Sequence, residues 1–468
     1  MKKLFILILL SMVVFSACSR KTIKEKVSYE GIELTYYKVF DDSDVIEPII
    51  NEYTAAHPGL KIHYKKFSDF DEYQKTILNE MAEGEGPDIF SMPNTWFTSN
   101  YRKLTPLPER FGDPAGFESE FVDVASQDLV RTDDDGALQI YALPMTVDTL
   151  ALYYNKDHFE DRIPSQGKPS KTWEGIKEDV EKLNKEDNSF GRFEVSAIAM
   201  GRADNITRAV DILYLLFQQF DARIYNDNLS EAIFAGRQGG ATSYPGTEAL
   251  EFFTSFADED EDHYSWNEFV VDDDSDGKEV EAFAAGEVSM ILGYSYTYDD
   301  ILNQRALLTQ EGIDSIDKSA IRIAPVPQLF DPETAKEKRV TYASYFAETV
   351  SRNTEHADIA WDFLLELTSK GALEYYFDKT HKPTSRRDMI EDQKKHPTFG
   401  VFASQIGFSE SFPIIDYYIY KDLFTDVINQ FADGNTIDKR TLIDAQKRIS
   451  GMLPEEGLVV PEVIDDNE

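Results

Sequence analysis

Residues able to hold a polar molecule recur just after strand-like runs. Asp41, Asp42 and Asp44 follow the alternating run Ile32-Glu33-Leu34-Thr35-Tyr36 and open a helical pattern. Asn94 and Trp96 follow the short run Asp88-Ile89-Phe90, and Tyr294 and Tyr296 follow Val288 to Leu292. Carboxylates and amides hydrogen-bond around the rim of a polar solute, while aromatic rings lie against its C–H faces. Each feature also has a purely structural reading. Asp42 or Ser43 can cap the first helix, and Asp44 suits a helix start electrostatically. Trp96 can be a core residue, and the alternating Tyr294, Tyr296 and Tyr298 can form one face of an extended strand.

Covalent chemistry finds no support in the motifs. Gly293-Tyr294-Ser295-Tyr296-Thr297 lacks the final glycine of a nucleophile elbow. The seven histidines show no HExxH spacing. Asp272 to Gly277 imitates the start of a calcium loop, but Phe283 stands where the bidentate glutamate belongs, which favours a solvated acidic loop. Carboxylates are too abundant for counting to pick out a hydrolytic pair, and no spacing places two of them at about 5 or 9 Å. The sequence therefore points to no enzyme, cofactor or metal.

The bulk composition bounds the remaining choices. A chain of 468 residues exceeds the size at which one core stops growing, so two lobes are expected. The net charge of −39 repels phosphate backbones and argues against nucleic acid as a partner. A lone cysteine, Cys18, excludes an internal disulfide. Ahead of it, Lys2 and Lys3 precede an apolar run from Leu4 to Val14 and the small residues Ser16 and Ala17. That run is shorter than the roughly 20 residues needed to span a bilayer, and the layout is that of an export signal.

Past a polar tether, Val45 to Tyr53 and Asp71 to Ala82 have helical spacing, while Leu60 to Tyr64 and Asp88 to Phe90 read as strands. Strand, helix, strand, helix, strand implies a parallel α/β sheet. Further on, helical patterns cover Trp173 to Leu183, Ile206 to Phe220, Thr247 to Ala257, Glu279 to Ala285, Ala357 to Leu367 and Leu442 to Met452. Strand-like runs occur at Leu150 to Tyr154, Val288 to Leu292 and Ile321 to Pro325.

Phe15-Ser16-Ala17-Cys18 resembles a bacterial lipobox, with Phe15 in place of the usual leucine. Four stretches in order resemble family 1 extracellular solute-binding proteins. The first is His57-Pro58-Gly59-Leu60-Lys61-Ile62 with Gly84-Glu85-Gly86-Pro87-Asp88-Ile89. Tyr141 to Pro144, Leu152 to Asp157 and Lys171 to Glu174 form the second, and Ala282 to Met290 the third. The fourth is Ala357 to Leu367 with His381 to Thr384. No single fragment is specific, but their order behind a lipoprotein-like signal is.

The resemblance implies an α/β clamp of two lobes, each a sheet flanked by helices, joined by three crossovers near Met145 to Asp148, Thr341 to Tyr345 and Lys379 to Ser385. Residues 1–17 would be the signal peptide and 18–27 the tether. Residues 28–146 with 345–380 would form the N lobe, 147–341 with 384–457 the C lobe, and 458–468 a tail. It further implies a receptor of an ABC importer that takes a sugar or oligosaccharide between its lobes and delivers it to a permease. The protein would be a lipid-anchored monomer on the outer face of the cytoplasmic membrane. By the same likeness the ligand set is Asp41, Asp42, Asp44, Asn94, Trp96, Met145, Thr146, Asp148, Tyr294, Tyr296, Tyr345 and Tyr417. Asp148 also reads as a surface charge, and Tyr417 as helix packing. A peptide, polyamine or other cationic solute is an alternative suggested by the acidic residues, and a surface carbohydrate-processing lipoprotein is another. Replacing Cys18 with serine is expected to abolish palmitate incorporation in cells, measured by metabolic labelling; undiminished labelling would show that the anchor lies elsewhere.

Overall fold

The computed structural model describes residues 29–187, 192–238, 243–270, 278–434, 440–454 and 457–458. Cys18, the proposed tether and the acidic loop 272–276 lie outside them, as does nearly all of the tail.

Two mixed sheets organise the chain. The N-lobe sheet contains β1 (Glu33–Val39), β2 (Lys61–Phe67), β3 (Ile89–Pro93), β14 (Phe346–Val350) and β6 (Ala142–Pro144), in the order β2-β1-β3-β14-β6. The first three strands are parallel, with Glu33 to Val39 in register with Lys61 to Phe67, as the alternation of strands and helices demands. The two late arrivals, β14 and β6, run antiparallel to their neighbours, so the sheet is not the purely parallel one expected. Between β3 and β6 a small hairpin, β4 (Val130–Thr132) with β5 (Leu138–Ile140), stands apart. The C-lobe sheet runs β12-β8-β11-β10-β9, from Ile321–Ala324, Ala151–Asn155, Val288–Gly293, Arg192–Ile198 and Lys185–Asp187.

A third, narrow sheet joins them. In it β13 (Thr341–Ser344) lies between β7 (Asp148–Thr149) and β15 (Ser409–Glu410). A single bridge, Thr146 to Thr384, brings in the remaining crossover, and Val147 N–H donates to Pro383 O. All three passes of the chain are therefore laced side by side. Tyr345 alone separates β13 from β14, so the backbone passes from the joining sheet to the N-lobe sheet across one residue.

Each lobe has its own apolar core. Leu34, Ile46, Phe97, Leu129, Ala347 and Trp361 belong to the N-lobe cluster, whereas Tyr153, Trp173, Ile212, Phe217, Met290 and Phe424 belong to the C-lobe cluster. Along the first crossover the change of core falls between Val147 and Leu150. Met389 and Ile406 lie past the third crossover yet still pack in the N-lobe core. Helix Ala357–Leu367 shows why such segments settle: Ala360, Trp361, Phe363, Leu364 and Leu367 recur at helical spacing and are all buried. Replacing the fully buried Trp361 with alanine is expected to cost about 3–5 kcal/mol of stability, read as a fall in the urea midpoint at unchanged slope.

Candidate functional site

The carboxyl ends of β1, β2 and β3 lie on the same edge of the N-lobe sheet as the start of β14, since Phe346 pairs with Pro93. This edge leads directly into the joining sheet and so faces the other lobe. Opposite it, β10 and β11 end at Ile198 and Gly293, beside the start of β8 at Ala151. Loops leaving such strand ends are where α/β folds build binding crevices.

On the N-lobe side the crevice is aromatic. Phe40 is 51% exposed although it is a large apolar residue, and its φ of 71° is an outlier for an aromatic residue. Its ring meets Phe346 edge-on at 6.1 Å, Phe346 meets Phe70 at 5.9 Å, and Phe70 meets Trp96 at 5.5 Å. From Phe70 the series crosses to the C lobe, reaching Tyr417 at 5.9 Å. Beside this contact Tyr418 donates its hydroxyl to Asp71, a second link between the starts of helices Phe70–Glu83 and Tyr417–Ala432.

The C-lobe side is aromatic and charged. Tyr294 and Tyr296 stack at 5.7 Å on the turn after β11. A Cβ at Gly293 would lie 2.5 Å from Thr297 Oγ1, so only glycine allows this turn to fold back so closely. The Arg208 guanidinium lies over both rings, 5.8 Å from Tyr294 and 5.5 Å from Tyr296. Tyr294 in turn donates to Asp211 at 3.0 Å. Arg208 and Asp211 sit at the start of helix Ala209–Gln219, and with Tyr417 and Lys421 they line a cavity of about 150 Å3.

This two-lobed arrangement has relatives. Residues 41–374 match the family model for the bacterial extracellular solute-binding protein, which is more than half of the chain. The chain belongs to that family. It is similar to the maltotriose-binding protein of Pyrococcus abyssi (strain GE5 / Orsay), with 26% identity over 168 residues. That match spans 34% of this chain and 33% of the relative, about a third of each. A sugar-binding protein of Xanthomonas citri superposes with a TM-score of 0.68 at 16% identity, over 90% of this chain and 97% of its own. An ABC transporter solute-binding protein of Thermotoga lettingae, solved with α-D-tagatose, gives 0.65 at 18% over 90% and 99%. At these identities the structures establish the fold, a two-lobed clamp.

The twelve predicted ligand residues divide sharply within this solute-binding protein. Trp96, Thr146, Tyr296 and Tyr417 are half-buried residues along the crevice or the crossover beneath it. Six others are buried and engaged elsewhere. Asp41 bonds Lys382 at 2.6 Å, Tyr376 at 2.7 Å and Lys38 at 3.3 Å. Burial opposes its charge, but Lys382 and Lys38 more than offset that and hold the carboxyl at about 2. Asn94 donates to Asp128 at 2.9 Å, and Tyr345 donates to the same carboxylate at 2.8 Å, joined by Ser411 at 2.5 Å. Met145 packs in the N-lobe core. Tyr294 is buried under its partner ring, and Asp148 accepts from Ser295 N and Oγ at 3.0 and 2.6 Å. The last two, Asp42 and Asp44, are exposed. Asp42 occupies the N-cap of helix Ser43–Ala56 without a side-chain cap bond and pairs with Lys66 instead, so the capping alternative does not hold.

Sequence reasoning missed Phe40, Phe70, Phe346, Arg208, Asp211, Lys421 and Asp128. Arg208 and Asp211 lie well past the end of β10, at a helix start to which the sequence reading gave no chemical role. No group of histidine, cysteine, aspartate and glutamate among the described residues can hold a metal.

Burial drives the Asp148 carboxyl up to about 6, although the bonds from Ser295 and Thr149 oppose the shift. A raised carboxyl contributes stability that is complete below its ordinary range near 4 and is lost as the pH rises through about 6. Asp148→Asn keeps an acceptor for Ser295 and cannot ionise. Its stability relative to the natural protein is expected to rise between pH 4 and 7 by about 2 kcal/mol, measured by urea unfolding at each pH. A difference that stays flat with pH would refute the shift.

Proposed function

We propose that this protein is the extracytoplasmic receptor of an ABC importer, binding a sugar or oligosaccharide between its lobes and delivering it to a membrane permease. The supporting observation is the aromatic series from Phe40 through Phe346 and Phe70 to Tyr417, which lines a cavity with Arg208 and Asp211, the guanidinium lying over Tyr296. Such a surface offers ring faces to C–H groups from both lobes, with a carboxylate and a guanidinium for hydroxyls between them. The Pyrococcus relative named for maltotriose and the tagatose-bound Thermotoga structure favour the same class of solute.

Closure works by rotation about the joining sheet. Strands β7 and β13 and the Thr146–Thr384 bridge stay paired, while the lobes, each with a separate core, move as bodies. Bringing Phe70 and Asp71 against Tyr417 and Tyr418 expels water and strengthens the polar contacts to the solute. The reading includes lipidation at Cys18, a monomer, and binding without turnover. A cationic solute is disfavoured, because the carboxylates of Asp41, Asp42 and Asp148 are already held by Lys382, Lys66 and Ser295.

A saccharide panel in a thermal-shift assay tests the proposal. A ligand at 100 times its Kd stabilises the folded form by about 2.7 kcal/mol, a readily measured rise in Tm. Tyr296→Ala is expected to weaken that ligand about tenfold by calorimetry while leaving the Tm of the free protein within a few degrees. If no saccharide raises the Tm, the assignment is wrong; recovery of shortened sugars would turn it into an enzyme.

A further inference from the structure

We propose that the cavity beside Arg208 receives a carboxylate, so that the captured saccharide carries a hexuronic acid unit. This rests on the saccharide reading above and narrows it. The argument begins with unsatisfied donors. Among the described residues the Arg208 guanidinium makes no hydrogen bond; the nearest carboxylate oxygen, Asp211 Oδ2, is 3.8 Å away and already accepts from Tyr294. The rings of Tyr294 and Tyr296 cover the guanidinium face. Stacking satisfies that face, but the five N–H groups point outward in the guanidinium plane and need acceptors once water leaves.

Lys421 adds to the surplus. It lies on the same face of helix Tyr417–Ala432 as Tyr417, lines the cavity, and its ammonium forms no hydrogen bond or ion pair with the described residues. The other acid on the rim, Asp204, is held by Arg202 at 2.6 Å. The cavity therefore presents two donor-only cations against one carboxylate that is already bonded. A hydroxyl is a weaker acceptor that also brings a donor of its own. A carboxylate brings only lone pairs, in a plane that matches the guanidinium fork, and charge-assisted bonds of this kind are roughly twice as strong.

Size and long-range charge sharpen the inference. About 150 Å3 is below the ~300 Å3 at which pockets engulf drug-sized ligands, so the cavity takes one acidic sugar residue while the aromatic series holds the rest. A protein of net charge −39 repels an anion at a distance, so selectivity for it must arise in short-range contact. Loss of the Arg208 contact then appears mainly in the dissociation rate.

Matched disaccharides of glucose, galactose and mannose and of their uronic acids, titrated into the full chain by calorimetry and surface plasmon resonance, test this. At least one uronate is expected to bind at least tenfold tighter than its neutral counterpart. Arg208→Gln is expected to remove that preference through faster dissociation of the uronate, which loses more affinity than its neutral counterpart. Arg208→Lys, which keeps the charge but loses the fork, should weaken the uronate severalfold, and so should the exposed-site variant Lys421→Gln; these two decide the matter if Arg208→Gln does not fold. Equal or tighter binding of the neutral sugars, or equal losses for both classes in the variants, overturns the carboxylate assignment and leaves the saccharide reading standing. Failure of every sugar to bind overturns both.

Discussion

A chain of four charges, three of them buried and the fourth half-buried, fixes the frame on which the crevice depends. Glu348 on β14 meets Lys38 on β1, Lys38 meets Asp41, and Asp41 meets Lys382 on the third crossover. Tyr36 donates to Glu348 and Tyr376 to Asp41, so each carboxylate also accepts from a tyrosine hydroxyl. Two cations and two anions cancel, which is the condition under which burial of charge is tolerated; removing one member of such a set typically costs 3–5 kcal/mol. The geometry explains what that cost secures. One line of polar contacts runs from the middle of the N-lobe sheet, through the strand end that carries Phe40, to Lys382 on the third crossover.

The other crossovers repeat the device with different chemistry. Asp148 on the first receives two bonds from Ser295 and thereby positions the turn that presents Tyr294 and Tyr296. Asp128 gathers Asn94, Tyr345 at the end of the second crossover, and Ser411 near the return through β15. In each case a buried acid serves as an internal fastening and the exposed surface is left to rings. The division is physically sensible. A carboxylate that holds backbone and hydroxyl donors in a dry site is rigid, whereas ring faces tolerate small displacements as a clamp closes.

Much of the scaffold was legible because it follows local rules. Helices Trp173–Leu183 and Ala357–Leu367 lie where their apolar spacing placed them, and β1, β2 and β3 follow from alternation between helix stops. The antiparallel entry of β14 was not, since it depends on a pairing between residues some 250 positions apart, such as Ala347 with Met92. The site was legible only in part, for the same reason. Asp41 looks like any exposed acid at a helix start until Lys382 is brought to it across 341 positions. Arg208 sits at an ordinary helix start, and its idle donors appear only when the neighbouring elements are in place.

Phe40 carries an implication for how such a receptor diversifies. A left-handed backbone under an aromatic side chain is a standing penalty that glycine or asparagine at the same position would relieve. Drift at this position therefore runs toward a sturdier protein with a barer crevice, and the ring persists only under selection for what it touches. Position 40 is thus a place where the surface of the crevice can change without cost to the fold.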